Sequence, residues 1–118
     1  VHIVLVTKYR KPLLLGNFSS GVKAIFSDIA EKKGWKILAT ETDVDYIHVL
    51  LEYDTTDRIC DIVKEFKQKS TYYLWEQFAC VLKNEYWKKK VFWSDGYFAC
   101  NIGEVSEDTI QHYIKNQG

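Results

Sequence analysis

Cysteine, proline, long apolar runs and an excess of either charge are all scarce in this 118-residue chain. Its three cysteines, Cys60, Cys80 and Cys100, are odd in number and far apart, without the CxxC spacing of a zinc site or a redox dithiol, and they read as buried or partly buried thiols. No stretch approaches the ~18 apolar residues of a membrane span. Val1 to Val6 has no basic lead of the kind that opens a signal peptide, so the expected location is cytoplasmic, with no membrane partner. Sixteen Lys and Arg balance sixteen Asp and Glu, and a zero net charge weighs against a nonspecific nucleic-acid binder. Internal repeats, low-complexity segments and linkers are also missing, which leaves a single domain over 1–118.

What is present is patterned hydrophobicity: 47% apolar and 27% charged residues, the balance of an ordinary globular protein. Ile3 and Leu5 on one side and Val4 and Val6 on the other predict a strand over 2–7 buried on both faces, which Pro12 keeps from continuing. Phe18, Val22, Ile25, Phe26 and Ile29 fall on one helical stripe, and Gly34 supplies a left-handed stop after Lys32 and Lys33. Residues 35–42 and 45–53 predict a hairpin around a tight turn at Asp43-Val44. In its second strand Tyr46, His48, Leu50 and Glu52 share one face, and Ile47, Val49, Leu51 and Tyr53 the other, more apolar one.

Thr55-Thr56-Asp57 predicts the cap of a second helix, along which Ile59, Ile62, Val63, Phe66, Tyr73 and Leu74 keep a 3.6-residue period. Residues 77–94 predict a further helical turn or loop. A last strand is expected over 97–102, with Gly103 breaking the chain before a final helix over 106–117, capped by Ser106. The order is βαββαβα. Without the last helix it is the ferredoxin-like βαββαβ arrangement, an α+β fold with a four-stranded antiparallel sheet and two helices on one face.

The positive charge is clustered although the net charge is zero. Lys8-Tyr9-Arg10-Lys11 follows the first strand, Lys64, Lys67 and Lys69 lie in one helix, and Lys88-Lys89-Lys90 follows Tyr86-Trp87. Aromatic residues make up 15% of the chain and several flank these clusters, the combination with which single-stranded nucleic acid is held by phosphate contacts and base stacking. A solvated lysine face accounts for the same pattern equally well.

Five segments together resemble a known family: residues 2–12 (His2-Ile3-Val4-Leu5-Val6-Thr7-Lys8-Tyr9-Arg10-Lys11-Pro12), Asp45-Tyr46-Ile47-His48-Val49-Leu50, the helix from Val63 to Thr71, Trp93-Ser94-Asp95-Gly96-Tyr97-Phe98, and Tyr113-Ile114-Lys115-Asn116-Gln117. In this order and spacing they look like the single-tyrosine HUH transposases of small prokaryotic insertion sequences, the TnpA type. The resemblance implies a homodimeric, metal-dependent enzyme that binds single-stranded DNA hairpins, with no small-molecule substrate. Such an enzyme cuts and rejoins the strand through a 5′-phosphotyrosine intermediate. It further implies Tyr113 as nucleophile, His48 and Gln117 as metal ligands, and Lys8, Arg10, Lys11, Lys67, Lys69 and Ser70 as DNA-binding residues.

Elementary chemistry is consistent with those roles. One helical turn places Tyr113 and Gln117 on the same face. A phenol with a pKa near ~10 needs a cation or base beside it to attack a phosphodiester at neutral pH. Mg2+ or Mn2+ suits a site built from an imidazole, an amide oxygen, water and phosphate. The chain departs from the family pattern at Tyr46, where the first histidine of the HUH element is expected; its phenolate is a candidate ligand. The alternative is a catalytically impaired derivative that binds DNA hairpins without cutting them. A third reading, a ferredoxin-like small-ligand or RNA-binding module, lacks an aromatic recognition motif on its sheet. Gly103 reads as a joint that lets the tyrosine helix dock on the partner subunit.

Overall fold

A computed structural model of the protein describes residues 1–86, 88–101 and 112–115. Strands β1 (His2–Val6), β2 (Lys36–Asp43), β3 (Tyr46–Glu52) and β4 (Phe98–Cys100) form one sheet in the order β2-β3-β1-β4, with all neighbours antiparallel. Helices α1 (Gly16–Lys33) and α2 (Ile59–Gln77) are the two connections that cross it, and this is the ferredoxin-like topology expected from the sequence. A short helix α3 (Ala79–Glu85) follows α2 and gives regular structure to the first part of the 77–94 segment.

The period of two along β1 and β3 decides which side is the core. Ile3 and Leu5 join Ile47, Val49 and Leu51 beneath the apolar stripes of α1 and α2, Phe18, Val22, Phe26, Ile62 and Phe66 among them. Phe26 and Phe66 stack across the helix pair with centroids 4.8 Å apart. Both helices therefore cover one face. On the opposite face Val4 and Val6 are equally buried, under Ile114.

Local signals worked to different degrees. Gly34 ends α1 in the left-handed region at φ 76°, as its position after Lys32-Lys33 predicted. The hairpin turn falls on Val44-Asp45, one residue later than expected, and Asp43 Oδ1 accepts from the Val44 amide inside it. The expected cap at Thr55-Thr56-Asp57 is not made: Arg58 precedes α2 without a side-chain capping bond, Asp54 Oδ1 accepts from Thr56 N, and Asp57 instead accepts from the Trp35 indole at 3.0 Å. Tertiary contact with Trp35 outcompetes the local cap. The first strand ends at Val6, and Thr7 continues only as an isolated bridge to Trp93. Cys60 and Cys80 are exposed rather than buried, because both lie on outward positions of their helices; Cys100 is half-buried, and all three are free thiols. Among the described residues no helix is long and apolar enough to cross a membrane. The predicted joint at Gly103, the cap at Ser106 and most of the final helix lie outside the described residues.

Candidate active site and nucleic-acid surface

The sheet face away from α1 and α2 carries the candidate chemistry. Register fixes its layout: Val4 lies opposite His48, Val6 opposite Tyr46 and His2 opposite Leu50. His2 and His48 are thus diagonal neighbours on one face, within reach of each other's rings. His2 Nδ1 lies 2.9 Å from His48 Nε2, with ring centroids 5.1 Å apart, so one nitrogen donates to the other according to tautomer. Burial lowers the pKa of both rings; His48 is lowered further by His2 and pulled back up by Glu41. Glu41 is the residue opposite His48 on β2, and Asp43 is opposite Tyr46.

Residues 112–115 are helical and lie on this same face of their own chain. Ile114 packs on Val4 and Val6, and Tyr46, Phe98 and Tyr113 close around that apolar contact. The Tyr113 ring sits 5.6 Å from that of Phe98. Its hydroxyl is buried and has no hydrogen-bond partner among the described residues. Burial accordingly pushes the Tyr113 phenol up to about 12. Tyr113, Tyr46 and His48 therefore share one side of the sheet through their common neighbour Val4, while Gln117 lies outside the described residues. Among the described residues no group of three or more His, Cys, Asp and Glu converges as a metal cluster.

The basic residues divide into two kinds. Lys8, Tyr9 and Arg10 form a single 3₁₀ turn in which Tyr9 (φ 59°) and Arg10 (φ 53°) adopt left-handed backbone, uncommon outside glycine. The cations around this turn are each matched by a carboxylate: Lys8 with Asp95 at 3.5 Å, Arg10 with Asp45 at 3.2 Å and Lys11 with Glu85 at 3.2 Å. Beside them Tyr9, Lys11, Tyr86 and Lys89 line a surface cleft of 410 Å³. Tyr86 braces the turn by donating to the Lys8 carbonyl at 2.7 Å, and burial, then Glu85, raises its pKa strongly.

Lys67 and Ser70 are placed differently. Lys67 Nζ donates to the carbonyls of Ser94, Asp95 and Gly96 at 2.7, 3.0 and 2.9 Å, which uses all three of its hydrogens. Burial lowers its pKa, partly offset by Asp95. Ser70 is fully buried and accepts from the Trp93 indole at 2.9 Å, so its hydroxyl has no exposed side from which to touch a phosphate. Lys69 is exposed beside Lys32, Lys33 and Tyr73. The sequence reading passed over His2 and Glu41. Glu41 comes opposite His48 because the turn falls at Val44-Asp45, whereas the turn expected at Asp43-Val44 sets Glu41 opposite Tyr46; His2 depends on the β1–β3 register, which no local pattern encodes.

Comparison with known proteins gives a consistent result. A family model described as "Transposase IS200 like" matches residues 1–117. The transposase for insertion sequence element IS200 of Salmonella typhimurium is 35% identical over 116 residues, spanning 98% of this chain and 74% of that protein. The ISDra2 transposase TnpA of Deinococcus radiodurans is 30% identical over 116 residues, spanning 98% of this chain and 81% of the relative. A crystal structure of a protein assigned as a transposase in Deinococcus radiodurans R1 superimposes with a TM-score of 0.90 at 34% identity, covering 98% of this chain and 88% of that one. A REP-associated tyrosine transposase bound to a REP hairpin shares the fold at a TM-score of 0.59 and 15% identity, over 98% of this chain and 62% of that one.

Proposed function

Because the chain belongs to the IS200-like transposase family, we propose that it cleaves and rejoins single-stranded DNA at hairpin-bearing ends, with Tyr113 as the nucleophile. The observation that carries this reading is the position of Tyr113 on the sheet face that also holds His48. In the reaction the Tyr113 oxygen, freed of its proton, attacks the phosphorus of the scissile linkage. The new bond joins phosphorus to the tyrosine oxygen. The bond to the 3′ oxygen breaks, and that oxygen takes up a proton to leave as a 3′-hydroxyl. Rejoining is the reverse step, in which a 3′-hydroxyl attacks the 5′-phosphotyrosine.

A divalent cation, Mg2+ or Mn2+, would lower the phenol's pKa and stabilise charge on the phosphoryl oxygens. The residues present fit such an ion to the extent that an imidazole nitrogen of His48 faces a second nitrogen donor 2.9 Å away. His48 and Gln117 are the expected ligands; the Tyr46 ring is packed against Val4 and Val6, and its oxygen remains a candidate. Lys8, Arg10, Lys11 and Lys69 contact phosphate, while Lys67 holds the carbonyls of the 94–96 segment and Ser70 the indole of Trp93 just before it. The working assembly is a homodimer, which sedimentation would register.

Incubating the protein with a hairpin-bearing single strand and Mn2+ is expected to give a heat-stable covalent adduct, absent in Tyr113→Phe. A second reading, hairpin binding without cleavage, is favoured by the buried, unpartnered Tyr113 hydroxyl together with tyrosine at position 46. Binding with no adduct from the parent protein would establish it.

A further inference from the structure

His2 and His48 lie outside both apolar clusters of the core, and each is half-buried, so neither ring needs the other to be satisfied by hydrogen bonding. Yet a nitrogen of one is held 2.9 Å from a nitrogen of the other. Resting on the metal-dependent reading above, we propose that His2 is itself a metal ligand: a divalent cation is held between His2 Nδ1 and His48 Nε2, His2 supplying the imidazole that Tyr46 does not.

Geometry favours this arrangement. Two nitrogen donors each ~2.1 Å from one cation lie about 3.0 Å apart at a right angle and about 3.4 Å apart at a tetrahedral angle. The observed separation needs only a few tenths of an ångström of opening, within the torsional freedom of two half-buried rings. The backbone of His2 is meanwhile fixed from both sides, by Leu50 on β3 and by Cys100 on β4. In the metal-free pair one proton lies between the two nitrogens. Ligation moves that proton to the far nitrogen of the same ring, so both lone pairs turn inward and no proton is lost. Tyr46 is elsewhere engaged, its ring packed with Tyr113 and Phe98 over Val4 and Val6. Glu41, across the strand from His48, makes the surroundings of a cation more negative. Two imidazoles also favour Mn2+ or Zn2+ over Mg2+, which prefers oxygen ligands.

The test is a zinc titration of protein labelled with nitrogen-15 at histidine, followed by long-range proton–nitrogen correlation. Direct ligation shifts His2 Nδ1 and His48 Nε2 together. A shift at His48 alone, or at neither ring, overturns the proposal. Calorimetry with Mn2+ gives an independent reading: His2→Gln is expected to lose affinity on the order of 100-fold. His2→Gln binding Mn2+ as the parent does would overturn it, provided the metal-free variant melts at the parent temperature; the labelled parent protein needs no variant at all. Adduct formation with hairpin DNA is scored separately, so loss of the His2 ligand role leaves the Tyr113 reaction standing, and the converse result is equally distinct.

Discussion

Tyr113 combines a packed ring with an isolated hydroxyl, and the two halves of the side chain pull in opposite directions. The ring adds to the contact of Ile114 with Val4 and Val6, while the oxygen is removed from water without a partner among the described residues. An unpaired buried hydroxyl costs roughly 1–3 kcal/mol, so Tyr113→Phe should raise stability at pH 7 by about 1 kcal/mol in urea denaturation, even as it abolishes the adduct. The pH dependence has a definite sign. The folded protein holds the phenol proton more tightly than the unfolded chain, with a pKa raised from 10.0 to about 12. That contribution is complete below pH 10 and is lost as pH rises from 10 towards 12. Unfolding followed across this window should show a decline in the parent that is smaller in Tyr113→Phe. Five motifs in order single out Tyr113 as a candidate only through their family resemblance. Its buried, unpartnered hydroxyl was not legible from sequence, since that depends on Phe98, Tyr46 and Val4 arriving from three strands.

At the scale of elements, the segment before β4 is held by a side chain from α2. Lys67 gathers the carbonyls of Ser94, Asp95 and Gly96, and three residues further along the helix Ser70 accepts from Trp93. The 94–96 segment has no strand or helix of its own to satisfy these carbonyls, so an ammonium does it. Lys67→Met keeps the aliphatic stem and removes the donors. We expect it to destabilise the protein by about 2 kcal/mol, measured as a lowered urea midpoint with an unchanged slope, the partial exposure of the ammonium having been discounted. Sequence periodicity found α1, α2 and β1 to β3 because each presents a repeated apolar face to one core. It misplaced the α2 cap and left 77–94 open, because Asp57, Trp93 and Ser70 are satisfied by residues distant in the chain.

At the scale of the molecule, zero net charge conceals a surface on which cations and carboxylates are matched. Lys8, Arg10 and Lys11 each have an acidic partner, so a phosphate must displace Asp95, Asp45 or Glu85 to reach them. Neutralising those partners should therefore strengthen DNA binding. Asp95→Asn and Glu85→Gln are each expected to tighten hairpin binding several-fold, consistent with roughly 0.2–1 kcal/mol for an exposed ion pair. Fluorescence anisotropy at fixed salt would measure this, and unchanged affinity in both variants would place the DNA elsewhere. A composition with no basic excess argues against a nonspecific nucleic-acid binder; on the proposed reading the cations that would meet phosphate are present but held by carboxylates.

Local pattern was enough to read the order of β1, α1, β2, β3, α2 and β4 and the two faces of each central strand, because periods of 2 and 3.6 are local properties of the backbone. Tyr113 and His48 stand out as candidates through the family resemblance, whose motifs lie within a few consecutive residues. Folding was needed to bring His2 to His48, to set Glu41 opposite His48, and to make Lys67 and Ser70 brace the residues around Ser94. These contacts depend on strand register and on helices crossing the sheet, where residues 46 positions apart become neighbours at 2.9 Å. Such proximity follows from the burial of Ile3, Leu5, Ile47 and Val49 under α1 and α2, which locks the register, and not from any feature of the two histidines themselves.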